Sequence, residues 1–306
     1  MSGLPDGLIA YGSDANCTLA ICPVEWSILQ YQPSIPASAV FIALFAIALV
    51  IHAYEGIRWR HTLGGFAIPM ILGCIDEIIG YIGRIIMHGN PFSFNGFLIQ
   101  IICITTAPVF ICAAIYVTLT RTITFLDGSL ARFNPKFFIW FFIPCDIISL
   151  VFQAAGGALS STSSGGDRLG VNMSLFGLSF QVFTLIIFIL FSLDYLFRYY
   201  RRNNGFGTHL ANPGRFRIFL VGLWAAILFI LIRCIYRIDE LSEGYSGALF
   251  HNEGVFYGLE SVMIILAVFC LIIGQPGFGL QGTSQEIYNA PGTEMNSVNG
   301  SKPPSV

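Results

Sequence analysis

Seven long apolar stretches occupy most of the 306-residue chain, at residues 37–54, 65–87, 96–118, 137–158, 175–197, 216–238 and 252–273. Each is about long enough to cross the ~30 Å hydrocarbon core of a bilayer as an α-helix. Only 10% of the residues are charged, whereas a soluble domain carries about 25%. The sequence therefore predicts an all-α fold, a polytopic membrane bundle of seven transmembrane helices.

The distribution of basic residues predicts the orientation of this bundle. Arginine and lysine concentrate in the loops at 55–64, 119–136 and 198–215. The alternate loops contain only Arg168. Loops rich in basic residues stay in the cytoplasm, so we expect the N-terminus outside and the C-terminus in the cytoplasm. The predicted units are an extracellular segment (1–35), the seven-helix domain (36–274) and a cytoplasmic tail (275–306), whose polar composition predicts disorder.

Two glycosylation sequons fall on the predicted outer side, Asn16-Cys17-Thr18 and Asn172-Met173-Ser174. They make the protein a candidate glycoprotein. Cys17 and Cys22 are the two cysteines in a polar region. If this region is extracellular, the pair could form a small disulfide; two free thiols are the alternative.

The second apolar stretch carries unusual polar residues. Glu77 and Arg84 are seven residues apart, nearly two helical turns, so they share a face with Tyr81 between them. A charge at the centre of a bilayer costs about 2.5–3.5 kcal/mol and marks a functional site by default. Gly73 and Gly80 lie near the same stripe and would let another helix approach closely, either within one chain or in a dimer.

Polar residues of the fourth, sixth and seventh stretches fall at a similar predicted depth, between mid-membrane and the outer surface. Their convergence predicts a polar cavity that opens toward the outer leaflet, with Glu77 or Asp146 paired to Arg84 or Arg233. The alternative is that the ion pairs only fix helix register. The twelve candidate binding residues are Glu77, Tyr81, Arg84, Asp146, Gln153, Arg233, Tyr236, Arg237, Glu240, Glu253, Tyr257 and Glu260.

Three prolines fall within the predicted helices, Pro69, Pro108 and Pro144. Each removes a backbone hydrogen bond and can kink its helix. They serve either helix shape alone or a hinge that opens the cavity.

Several chemistries are excluded by inspection. A retinal Schiff base needs a lysine at mid-depth, but the only lysines are Lys136 and Lys302, in a loop and in the tail. The histidines lie on different segments, which excludes a clustered metal site, and no phosphate-binding loop is present. We therefore predict no catalytic residue, no cofactor, no metal, no nucleic-acid partner and no enzymatic activity. A serpentine receptor fits the topology, although the residue before Arg121 is not acidic and the seventh stretch lacks Asn-Pro-x-x-Tyr.

Short motifs follow one another in a specific order along the predicted helices. They are Tyr31-Gln32-Pro33-Ser34, Glu77-x-x-Gly80-Tyr81-x-x-Arg84, Asp146 with Gln153-x-x-Gly156-Gly157, Arg233-x-x-Tyr236-Arg237-x-x-Glu240, Gly244 and Glu253-x-x-Phe256-Tyr257. By their order and placement, the chain at about residues 22–275 resembles the fungal RTA-like family of lipid-translocating exporters. One departure is at Glu260, where the family has Asp.

The resemblance implies a multi-pass plasma-membrane protein that exports or flips sphingoid long-chain bases or similar cationic amphiphilic lipids and gives resistance to toxic amphiphiles. Acids in an outward cavity suit such cargo, because they could hold an ammonium head while the tail stays in lipid. The acids Glu77, Asp146 and Glu260 would bind the lipid head group or take up protons. The arginines would hold these acids in position. The alternative function is a receptor-like sensor of the same lipids that signals through the basic cytoplasmic loops. The oligomeric state stays open.

Overall fold

The computed structural model describes residues 8–10, 12, 15–59, 65–162, 168–203, 212–242, 247 and 250–279. Within them the fold is helical and contains no strand, which confirms the all-α class. Seven long helices correspond to the seven apolar stretches, and a single turn, α8 (Pro276–Gly279), follows them. The long helices are α1 (Ile35–Arg58), α2 (Ala67–Gly89), α3 (Phe94–Asp127), α4 (Phe137–Thr162), α5 (Arg168–Asn203), α6 (Pro213–Ser242) and α7 (Glu253–Ile273).

Six of these helices, all except α2, are long and apolar enough to cross a membrane. The exception is the helix that carries Asp76, Glu77 and Arg84. Large apolar side chains such as Trp140 and Val221 are exposed on the outside of the bundle. Such a surface suits lipid rather than water, so the chain is a multi-pass membrane protein.

Neighbours in sequence are neighbours in space. Helix α2 packs between α1 and α3, α4 packs on α5, and α6 packs on α7. Helix α3 also contacts α4, α5 and α6, and α7 closes the bundle against α1. The helix at the centre is therefore α3, and about half of its apolar part is buried.

The glycine stripe of α2 faces α3. A Cβ added to Gly80 would lie 2.6 Å from Cγ1 of Ile104, and one added to Gly73 would lie 3.2 Å from the carbonyl oxygen of Ala107. No real Cβ atom tolerates the first distance, so Gly80 is required for the close approach of the two backbones. Of the two contacts that the sequence left open, the intramolecular one is present.

The N-terminal segment packs over one end of the bundle. Cys17 and Cys22 form a disulfide and are buried with Phe92, which precedes α3. Leu29 is buried against Met87 of α2 and Phe250. The disulfide, rather than two free thiols, is therefore the observed state.

The two sequons differ in their surroundings. Asn16 is exposed, and its side-chain oxygen accepts a hydrogen bond from the backbone N–H of Ile9. Asn172 lies inside α5, and the Ser174 hydroxyl of the same sequon is buried and donates to the carbonyl oxygen of Gln153 in α4. Because a packed helix pair holds the second sequon, only Asn16 is presented on a loop.

At the other end of the chain, Gln275 is buried, and α8 packs against α6, with Gly277 facing the ring of Trp59. The packed body therefore extends to the last described residue. Residues 280–306, most of the predicted tail, lie outside the described residues, as does the motif residue Gly244.

Candidate functional site

The twelve candidate residues lie on α2, α4, α6 and α7 and are mostly buried. Each of the two spaces described below is lined by only a few of them. Most of them form separate clusters, held by hydrogen bonds or ion pairs. The sequence predicted the depth of these residues from helix periodicity, but the partners depend on how the helices are arranged around the bundle.

The first cluster surrounds Arg84, which is fully buried. Its Nη2 atom donates to Oε1 of Glu253 and to the hydroxyl of Tyr31, both at 3.2 Å, and its Nε donates to the hydroxyl of Tyr257 at 3.3 Å. The guanidinium carbon also lies 4.3 Å from the ring centroid of Phe256. Arg84 thus occupies an aromatic cage that joins α2 to α7 and the N-terminal segment.

Two residues of this cluster were missed as site residues. Tyr31 entered only as part of a motif before α1, and Phe256 only as part of a motif in α7. Burial raises the pKa of Tyr31 above its usual range, against the opposing effect of the Arg84 charge. Glu253 also accepts a 2.7 Å hydrogen bond from the backbone N–H of Ser34, so this acid anchors the start of α1 as well.

The second cluster is the ion pair between Arg233 of α6 and Glu260 of α7, each about 1% exposed. Nε of Arg233 donates to Oε1 of Glu260 at 2.9 Å, and its Nη2 donates to the carbonyl oxygen of Ile104 in α3 at 3.0 Å. That carbonyl is available because Pro108, four residues later, has no N–H to donate to it. The proline that the sequence marked as a possible hinge therefore supplies an acceptor for a buried arginine.

Glu77 lies near this pair without joining it. Its side chain is buried, and its Oε1 has no hydrogen-bond partner among the described residues. Glu260 and Arg233 are nevertheless close enough to act on it electrostatically. The predicted pairing of Glu77 or Asp146 with Arg84 or Arg233 is wrong, because acids of α7 take both arginines.

The part of α7 that carries these contacts is irregular. Residues Phe256–Ser261 form a π-helical segment, a feature that is often found at functional sites. It begins at the ring that stacks on Arg84 and includes Glu260, and it places the hydroxyl of Ser261 among buried groups. Across from it, Tyr81 is packed against Phe41 and Phe45 of α1.

A third cluster lies one turn further along α6. Nη1 of Arg237 donates to Oε2 of Glu240, and the hydroxyl of Tyr236 donates to Oε1 of the same carboxylate at 3.1 Å. The spacing of three and four residues brings these side chains together on one helix. The charge of Arg237 is therefore balanced within α6.

The polar residues of α4 form two further contacts. Oδ2 of Asp146 accepts a hydrogen bond from the hydroxyl of Tyr116 in α3 at 2.9 Å, while its Oδ1 has no described partner. Nε2 of Gln153 donates to Oε1 of Gln181 in α5 at 3.0 Å. Tyr116 was not among the predicted site residues, because it lies near the end of the third apolar stretch, away from the candidate residues in sequence.

Helices α3, α4, α5 and α6 line an open cleft of about 610 Å³, a volume that includes the solvent-filled space at its mouth. Its wall is largely apolar, with Thr105, Gln153, Ser174 and Arg237 as polar members. Leu150 and Gln153 line it and follow Asp146 by four and seven residues, so Asp146 lies on the same helix face one turn beyond the cleft.

A smaller space of about 360 Å³ lies on the other side of Arg237, lined by Arg84, Gln100, Glu240 and several apolar residues. Glu77, Asp146 and Glu260 line neither space. Among the described residues no group of three or more His, Cys, Asp or Glu could hold a metal ion.

Comparison with known proteins relates the chain to a family of similar helical proteins. The family model described as RTA1 like protein matches residues 70–283. The sphingoid long-chain base transporter RSB1 of Saccharomyces cerevisiae is 30% identical over 293 residues, covering 85% of this chain and 76% of that protein. Protein RTM1 of the same yeast is 27% identical, covering 82% of this chain and 92% of that protein, and protoporphyrin uptake protein 1 is 28% identical, covering 80% and 90%. No solved structure matches.

Proposed function

Since the chain belongs to the RTA1 like family, as its motifs predicted, we propose that it translocates sphingoid long-chain bases or similar cationic amphiphilic lipids across the plasma membrane. By exporting such lipids it would protect the cell from toxic amphiphiles. Support comes from the relative named as a sphingoid long-chain base transporter, which aligns with 85% of this chain. Two of these three relatives are named for transport or uptake, and the name of the third states no activity.

We propose that all seven long helices span the membrane, with the N-terminus outside and the C-terminus in the cytoplasm. For α2 the support is the division of its surface. Glu77, Tyr81 and Arg84 are buried, while Ile79 and Ile86 are exposed. A charged helix can cross lipid when its charges face the bundle interior.

The proposed cargo path begins in the cleft between α3 and α6. The hydrocarbon tail lies along the apolar wall, and the ammonium head binds Asp146. The three arginines among the candidate residues are each bonded to a glutamate, whereas Glu77 and Asp146 form no ion pair in the described part of the chain. Of these two acids, Asp146 shares its helix face with the cleft lining.

Neighbouring residues provide further polar contacts along the proposed path and hold the helices around it in place. Gln153 and Ser174 on the cleft wall can bond to the hydroxyls of a sphingoid base. The Arg84–Glu253 and Arg233–Glu260 pairs connect helices and hold the acids of α7 in position. The single observation that carries the proposal is the buried carboxylate of Asp146, with one unpartnered oxygen, one helical turn from the lining of a largely apolar cleft.

The test uses purified full-length protein reconstituted into lipid vesicles without ATP. A fluorescent sphingosine is added outside, and its transfer to the inner leaflet is followed by its protection from an impermeant quencher. We expect faster transfer than in protein-free vesicles. Binding without transfer would contradict translocation and favour a receptor-like sensor that signals through the basic cytoplasmic loops.

A further inference from the structure

Three atoms of buried charged groups without a described hydrogen-bond partner lie at the contact of α2 with α7: Oε1 of Glu77, Oε2 of Glu260 and Nη1 of Arg84. The hydroxyls of Tyr81 and Ser261 lie at the same contact, close enough to interact with each other. Each of these residues is at most 1% exposed. Buried polar groups are nearly always satisfied, so this concentration of unpartnered atoms needs an explanation that the ion pairs do not give.

The charges at this contact do not balance. Two carboxylates, Glu77 and Glu260, lie near the guanidinium of Arg233, which forms its ion pair with Glu260. The next charges along α6, Arg237 and Glu240, also act on this group but are paired with each other. Of the other titratable groups near Glu77, Cys74, Asp76 and Tyr81 lie on α2 and Cys103 on α3. None of these four carries a positive charge. Helix α1 contributes only the apolar rings of Phe41 and Phe45 next to Tyr81.

An unpaired carboxylate buried in low dielectric costs several kcal/mol, and a bound proton removes that cost. We propose that Glu77 and Glu260 form a proton-binding site in which Arg233 neutralises one carboxylate and a proton neutralises the other. In the conformation described, Arg233 holds Glu260 and the proton is on Glu77. When that proton leaves for water, the Glu77 carboxylate competes for Arg233, and Glu260 takes up a proton in its place.

The site is connected to the cleft through α3. Arg233 also donates to the carbonyl oxygen of Ile104, and the next residue, Thr105, lines the cleft, as does Ile102. A change in the partner of Arg233 therefore pulls on the wall that holds the cargo. This inference rests on the proposed translocation. The energy source of translocation is then a proton gradient that acts through Glu77.

The proton itself can be detected without any transport. Infrared difference spectra of the purified protein should contain a protonated-carboxyl band at neutral pH that is lost in Glu77→Gln and shifted in Glu77→Asp. Glu55→Gln is the matched control, because Glu55 is also a buried glutamate but pairs with His52 on α1. A band unaffected by Glu77→Gln, in a variant that melts like the unmodified protein, would overturn the proton site.

Coupling is tested in vesicles with a fluorescent long-chain amine that has a trimethylammonium head, since this probe cannot carry a proton itself. A pH difference of about one unit should drive up to about tenfold accumulation for one exchanged proton. Glu77→Gln should lose this accumulation, whereas Glu77→Asp and Glu55→Gln should keep it. Absence of gradient-driven accumulation by the unmodified protein overturns the coupling. Failure of this coupling test can be distinguished from failure of the proposed function, because the assay with fluorescent sphingosine at equal pH on both sides measures translocation alone.

Discussion

Replacing Glu260 by Gln should destabilise the protein less than the loss of a buried ion pair usually does. Removing one partner of such a pair typically costs about 3–5 kcal/mol, because the other charge stays buried and uncompensated. Here Glu77 is close enough to act on Arg233 and has no ion-pair partner of its own. On losing its proton it can replace Glu260, while Arg233 keeps its bond to the Ile104 carbonyl.

The magnitudes follow from the bonds that each variant loses. Glu260→Gln should cost about 2 kcal/mol, the value of one hydrogen bond to a charged group. Glu77→Gln, which removes an acid without a bonded partner, should cost less than about 1 kcal/mol. The double variant leaves Arg233 with no carboxylate and should cost about 3–5 kcal/mol. The two substitutions together should therefore cost more than the sum of the single costs, by up to about 3 kcal/mol.

The assay is equilibrium unfolding of the purified variants in mixed micelles, arranged as a double-mutant cycle. A control cycle pairs Glu77→Gln with Glu55→Gln, because the ion-pair partner of Glu55 is His52 on the same helix, α1. The control should be additive within about 0.5 kcal/mol. If the Glu77–Glu260 cycle is equally additive, Glu77 does not share Arg233 and the reasoning fails.

Two further predictions concern packing and pH. Gly80→Ala should lower the melting temperature, because its Cβ would lie 2.6 Å from a side-chain carbon of α3. The control is Gly157→Ala, whose Cβ would have nothing within 4 Å and which should be neutral or stabilising by up to about 1 kcal/mol. Equal shifts in melting temperature for the two variants would contradict this prediction. Because burial raises the pKa of Tyr31, its contribution to stability should be complete below the unfolded tyrosine pKa of about 10 and decline above it. Tyr31→Phe should unfold with a shallower alkaline dependence, and identical pH profiles would refute the effect.

The sequence predicted most of the architecture because helix periodicity and apolar length are local properties. The shared face of Glu77, Tyr81 and Arg84 followed from their spacing, and all three are buried. The stripe of Gly73 and Gly80 indicated a close helix contact. Its partner could not be predicted, because the position of α3 beside α2 depends on the packing of the whole bundle.

The ion pairs were predicted less well, because depth alone does not choose a partner. Arg84 and Arg233 have several acids at a similar depth, and the arrangement of α7 next to α2 and α6 decides the choice in favour of Glu253 and Glu260. The π-helical segment of α7 changes the register between these two acids, which regular helix spacing cannot anticipate. Pro108 did carry a signal, since a proline in a helix always frees one carbonyl.

The most direct measurement of the central claim compares Asp146→Asn with Asp76→Asn in the vesicle assay with fluorescent sphingosine. Both substitutions remove an acid within a long helix, but Asp76 is only half-buried and lies on α2, away from the cleft. Losing a charged hydrogen bond of about 1.5–3 kcal/mol should slow translocation by Asp146→Asn roughly 10- to 100-fold. Asp76→Asn should stay near the unmodified rate. Translocation by Asp146→Asn at the unmodified rate, in a protein that is equally stable, would contradict the proposed binding of the ammonium head.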